Sequence, residues 1–67
     1  MSRAAMEIKK LRTEKGDTQQ QLGIAIGVST MAVSKYESGK MIPNDDNKIK
    51  IARHFDRSVE DIFFREN

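Results

Sequence analysis

Apolar residues recur along the chain at helical rather than strand spacing, and most of the runs are bounded by a capping residue or a glycine. Ile8 and Leu11, three apart, predict a helix over about residues 4–15 with an inward stripe and Gly16 as its terminator. Leu22, Ala25 and Ile26 form the inward face of a second helix over about residues 18–26. Thr18 followed three positions later by Gln21 is a capping box, in which each side chain satisfies a backbone amide left free at the helix start. Gly27 stops that helix where a left-handed residue is required, Val28 packs into the corner, and Ser29 is suited to cap the next helix. The third helix, about residues 29–37, turns Val33 and Tyr36 inward and is stopped by Gly39. Small side chains at Gly23 and Ala32 let the second and third helices approach closely. The only proline lies in the loop 40–44, where it disfavours helix. Asn44 or Asp45 then caps a fourth helix reaching about residue 55, with Ile49, Ala52 and Phe55 inward. Ser58 with Asp61 reads as a second capping box, opening a short fifth helix through residue 63 or 64. No segment alternates in the manner of a strand, so the expected fold is all-α: five helices in one domain over residues 1–67.

Residues 18–37 form two short helices joined by a tight glycine turn, which is the arrangement that carries a reading helix into the DNA major groove. With Val33 and Tyr36 facing inward, Thr30, Met31, Ser34 and Lys35 are left pointing elsewhere. Spacing alone also fits a plain pair of packed helices with no ligand.

The stretches IKKLRTEKGDTQQQLG and GVSTMAVSKYESGK, the proline of MIPN, and IARHF followed by SVEDIF narrow the choice. Over residues 8–63 they resemble, in unbroken register, the Cro/repressor-type (XRE) helix-turn-helix domains of phage repressors and small bacterial regulators. The resemblance implies a lambda-repressor-like five-helix fold and sequence-specific binding to double-stranded DNA by a homodimer. It also implies that Thr30, Met31 and Lys35 make most of the base contacts, with Ser34 and Ala32 nearby. Lys35 can donate to guanine O6 and N7, Thr30 can reach a base edge or a thymine methyl, and Met31 offers only apolar contact. The alternatives are Met31 partly in the core and Lys35 on phosphate. In the resembling family an Arg on the first helix pairs with a Glu late in the reading helix, and Arg12 and Glu37 occupy those positions; Arg12 on a phosphate with Glu37 exposed is the other possibility.

Phosphate contacts fix register without reading sequence. Gln19 is the first candidate, because free amides and the helix dipole favour an anion at the start of the second helix. Ser29, and Ser38 with Lys40, would touch the backbone on either side of the groove, with Lys9, Lys10 and Lys15 as weaker candidates. The chain departs from the family at Asp45, Lys48 and Arg57, which are polar where apolar residues are usual, and at exposed-type Ile24. Gly23 stands where alanine is usual, which is expected to loosen the second helix by up to about 1 kcal/mol.

Charge distribution changes the picture more than net charge, which is only +2. Residues 1–40 hold seven Lys/Arg against four Asp/Glu, a surplus of three, and residues 41–67 hold five against six. The basic excess therefore sits on the half with the helix pair, as approach to phosphates requires. A chain of 67 residues with no Cys and one His has neither a disulfide framework nor a Cys/His zinc site, so helix packing must stabilise it. His54 is read as a surface or boundary residue. No long apolar run provides a membrane span or secretory signal, and a cytoplasmic location is expected.

Family members usually dimerise, and Ile62, Phe63 and Phe64 are the expected dimer contact, with Phe64 exposed or else folded back over the core. Met41 and Ile42 are a second possible contact. The function expected is a transcriptional regulator, a repressor that occupies a near-palindromic operator. The alternative is an antitoxin-like or adaptor module that docks another protein, for which the sequence shows no extra neutralising segment. Asp45–Asp46 and Glu60–Asp61 fit helix starts rather than a catalytic dyad, so no enzyme activity, cofactor or small-molecule ligand is expected.

Overall fold

The computed structural model describes residues 2–64. Helices α1 (Arg3–Lys15), α2 (Gln19–Ile26), α3 (Thr30–Ser38) and α4 (Asp45–His54) are followed by α5 (Glu60–Phe64), a single turn of π-helical geometry. The all-helical architecture expected from the spacing is the one observed.

Local chemistry explains most helix ends. The Thr18 hydroxyl accepts the Gln21 amide at 3.0 Å while the Gln21 side chain accepts the Thr18 amide at 2.8 Å, so the capping box is complete. Ser29 Oγ accepts the Ala32 amide at 3.0 Å, Asn44 Oδ1 accepts the Asn47 amide at 2.8 Å, and Ser58 Oγ accepts the Asp61 amide at 3.0 Å. The α1 cap is Ser2, which the sequence analysis did not pick out; its Oγ accepts the Ala5 amide at 3.1 Å. Gly27 adopts φ 77° between α2 and α3, a left-handed conformation that a Cβ would penalise.

Packing corrects two inward assignments. The core comprises Ala5, Ile8, Leu11, Leu22, Ile26, Val33, Tyr36, Ile51, Ala52, Phe55 and Ile62. Ala25 is exposed, because α2 turns Gly23 rather than Ala25 toward its neighbour. Ile49 is 40% exposed and Ile51 fully buried, because α4 faces the core with positions 48, 51, 52 and 55, sharing 52 and 55 with the expected stripe but turned toward 51 and away from 49.

Lys48 lies on that inward edge. Its stem is mostly buried, and its Nζ sits 5.7 Å from the Phe63 ring centre and 5.1 Å from that of Phe64. A lysine fills this position by covering apolar surface with its methylenes and keeping the charge at the rim. Arg57 is exposed.

Gly23 is buried for a reason other than looseness. A Cβ built there would stand 2.7 Å from the Val28 carbonyl oxygen and 3.4 Å from the Ser29 carbonyl carbon, both rigid backbone atoms. In this chain the turn folds back onto α2 so closely that a side chain at Gly23 would force the backbone to shift. Gly23→Ala is therefore expected to lower stability by about 1 kcal/mol, the crowding outweighing alanine's better helix propensity. Urea unfolding checks the sign; a variant as stable as the parent would mean that the turn does not approach α2 this closely.

Candidate nucleic-acid interface

Helix α3 is divided lengthwise. Val33, Tyr36 and Glu37 are buried, whereas Thr30, Met31, Ser34 and Lys35 are exposed, Met31 at 67%. Positions 30 and 34, and 31 and 35, are successive turns of two adjacent rows, so these four side chains form one outward stripe. The stripe combines a cation, two hydroxyls and a flexible apolar side chain, with the chemistry to reach acceptors and methyl groups on base edges. Met31 takes no part in the core, which removes that alternative.

The inward edge of α3 is fixed by charge. Arg12 on α1 meets Glu37 through a two-pronged contact, Nε to Oε2 at 2.6 Å and Nη2 to Oε1 at 3.1 Å. Its third nitrogen, Nη1, donates to the Asp17 carbonyl at 2.7 Å. Arg12 is 11% and Glu37 4% exposed. The hydrogen bonds that Arg12 donates to Glu37 raise the Arg12 pKa above its ordinary value, burial works against it, and the charges of Glu37 and Asp17 add to the rise. Arg12 therefore stays protonated, and the paired fork holds orientation as well as charge.

The phosphate candidates are placed unequally. Gln19 is half-buried, and its Nε2 donates to Glu37 Oε1 at 3.1 Å, leaving one amide hydrogen for another acceptor. Ser29 is exposed at the α3 start, where its oxygen caps the helix and its hydroxyl hydrogen can still be donated. The Ser38 hydroxyl donates back to the Lys35 carbonyl at 3.2 Å, so it must rotate before it can serve a phosphate. Lys40 is exposed just past the end of α3.

The dimer candidates separate as well. Ile62 is 1% exposed and belongs to the monomer's own core, so it is not available to a second chain. Phe63 is half-buried against that core, and Phe64 is 60% exposed rather than folded back. Phe64 lines a shallow hollow with Ile49, Val59, Asp45 and Lys48. Met41 and Ile42 are exposed in the loop, at 40% and 78%.

His54 has a partner that the sequence analysis missed. Its Nε2 lies 2.6 Å from Asp17 Oδ2, both side chains being about four-fifths buried. The two residues are far apart in sequence, and no local pattern marks them. A second unforeseen contact runs from Asn47 Nδ2 to the Tyr36 hydroxyl at 3.3 Å. Among the described residues no His, Cys, Asp and Glu side chains converge as a metal site, and no helix is long and apolar enough to cross a membrane.

Two capped helices set by a left-handed glycine, with one face of the second anchored and the other free, define a helix-turn-helix domain. A helix-turn-helix family model of the XRE type matches residues 8–62, and the chain belongs to that family. It is 33% identical over 60 residues to an uncharacterised HTH-type transcriptional regulator of Bacillus subtilis, YgzD, covering 90% of this chain and 91% of the relative. It is 37% identical over 60 residues to the HTH-type transcriptional activator BcrR of Enterococcus faecalis, and 38% identical over 45 residues to the cryptic phage CTXphi transcriptional repressor RstR of Vibrio cholerae. Those matches cover 90% and 67% of this chain but only 29% and 40% of the two relatives. Among solved structures, the P22 c2 repressor bound to a synthetic operator superposes with a TM-score of 0.91 at 23% identity, over 98% of this chain and 100% of the repressor chain. Bacillus thuringiensis PlcR, solved with the peptide PapR7 and DNA, superposes at 0.86 with 28% identity, over all of this chain and 25% of PlcR.

Proposed function

We infer that the chain is a DNA-binding transcriptional regulator, working as a dimeric repressor that sets α3 in the major groove of a near-palindromic operator. The observation that carries this reading is the lengthwise division of α3: a stripe of Thr30, Met31, Ser34 and Lys35 left free while the opposite edge is fixed to α1. Family membership supports it, as do relatives named as transcriptional regulators and similar folds solved on DNA. The stripe reads bases, and Gln19, Ser29, Ser38 and Lys40 hold phosphates on either side. Phe64, with Phe63 beside it, is the contact between two copies, setting the reading helices about 34 Å apart on one face of the duplex. The protein then acts in the cytoplasm by occupying a promoter and excluding polymerase.

Selection from a randomised duplex pool, with affinity remeasured at two salt concentrations, tests the reading. An inverted repeat with half-sites one helical turn apart is the expected result. Lys35→Ala is then expected to cost about 1–3 kcal/mol of binding and to relax one position in each half-site. Weak binding that salt abolishes and that ignores sequence would overturn the repressor and point instead to an antitoxin-like or adaptor module.

A further inference from the structure

Both ends of α4 connect by polar contacts to the last turn of the reading helix, one directly and one through Asp17 and Arg12, without touching the outward stripe. In its first turn Asn47 donates to the Tyr36 hydroxyl on α3 at 3.3 Å. In its last turn His54 reaches Asp17 at 2.6 Å. Asp17 is a junction: its carboxylate takes His54, its carbonyl takes Arg12, and the next residue is the Thr18 cap that starts α2. Arg12 carries the connection on to Glu37 in the last turn of α3, and Glu37 also holds Gln19. A continuous polar path therefore runs from the end of α4, through the α1–α2 turn and α1, to the reading helix.

The apolar core under these helices resists separation, but its attraction is non-directional and tolerates small rotations of one helix on another. Hydrogen bonds of fixed geometry do not. We propose that His54 is a positioning residue for DNA recognition, bracing α2 and α3 against α4 through Asp17 so that the outward stripe meets the groove at one angle. The contact selects the imidazole form with a hydrogen on Nε2, which donates to the Asp17 carboxylate. The inference rests on the DNA-binding reading and deepens it: a fourth-helix side chain remote from the stripe sets how well the stripe fits.

The test compares the unchanged chain with His54→Ala, Asp17→Ala and the double variant on the selected operator, at a temperature where circular dichroism shows all of them folded. Each single variant is expected to lose about 3- to 30-fold in operator affinity. The double variant is expected to bind no worse than the weaker single, because one interaction is removed in all three. The half-site sequence selected should not change, and His54→Gln, whose amide can still donate to Asp17, should recover most of the affinity. Single variants within twofold of the parent, or losses that multiply in the double variant, would overturn the brace while leaving operator binding intact. Failure of the unchanged chain to select any operator would overturn both readings. If the alanine variants do not fold, His54→Gln and His54→Phe decide: near-parental binding by His54→Gln with a loss in His54→Phe, which keeps a ring but has no donor for Asp17, supports the brace, and unchanged binding in both overturns it.

Discussion

Glu37→Ala is expected to remove about 3–5 kcal/mol of folding stability, because it strands the buried Arg12 charge. Glu37 accepts from Arg12 Nε, Arg12 Nη2 and Gln19 Nε2, so its loss leaves three donors without their acceptor in a region where water is largely excluded. Arg12 cannot relieve the strain by losing its proton, since an arginine stays protonated at any accessible pH. At the usual figure per residue, a chain of this size holds about 3–10 kcal/mol in all, so the variant is expected to unfold at or near room temperature or to lose well over about 12 °C in Tm. Thermal and urea unfolding followed by circular dichroism measure it. A loss below about 1 kcal/mol, the range of exposed ion pairs, would show that the pair is solvated rather than structural. Replacing both residues by methionine should restore much of the stability, since neither charge then has to be desolvated.

The second large effect distinguishes two isoleucines on one helix. Ile51→Ala is expected to cost about 2–5 kcal/mol, through lost burial and the cavity left behind. Ile49→Ala, two positions away and 40% exposed, is expected to cost less than about 1 kcal/mol. Because Ile49 shares the surface hollow with Phe64, its loss should instead weaken the proposed self-association in sedimentation measurements. Equal losses of stability, or losses in the reverse order, would mean that α4 is rotated about its axis from the orientation seen here, toward Ile49.

The same pair of residues shows where reading the chain by itself falls short. Ile49, Ala52 and Phe55 and Ile51, Ala52 and Phe55 are both acceptable stripes for a ten-residue helix, and local energetics barely separates them. The choice is made by competition between faces once α4 is docked, and it is settled by Lys48, whose long stem can fill an edge position over Phe63 and Phe64 that a short polar side chain could not. In α2, Ala25 lost its inward place to Gly23 for a similar reason: the residue that matters is the one whose absent side chain lets the Val28 carbonyl approach. Ile62 was legible as apolar but not as core, since three consecutive apolar residues on one turn do not reveal which of them points inward.

The outward placement of the stripe on α3 was legible because it is the complement of a short-range pattern. Once Val33 and Tyr36 are inward, the helical period sends Thr30, Met31, Ser34 and Lys35 outward. Helix ends were legible for the same reason, since Thr18, Gln21, Ser29 and Gly27 act on backbone groups within a few residues of themselves. These the sequence determined unaided: a hydrogen bond between neighbours along the chain does not depend on where the rest of the chain goes. Tertiary structure alone decided the contacts between distant residues, such as His54 with Asp17, Gln19 with Glu37 and Asn47 with Tyr36, and the rotation of each helix about its own axis. Those depend on which surfaces survive simultaneous packing of all five elements, a condition that no single segment carries.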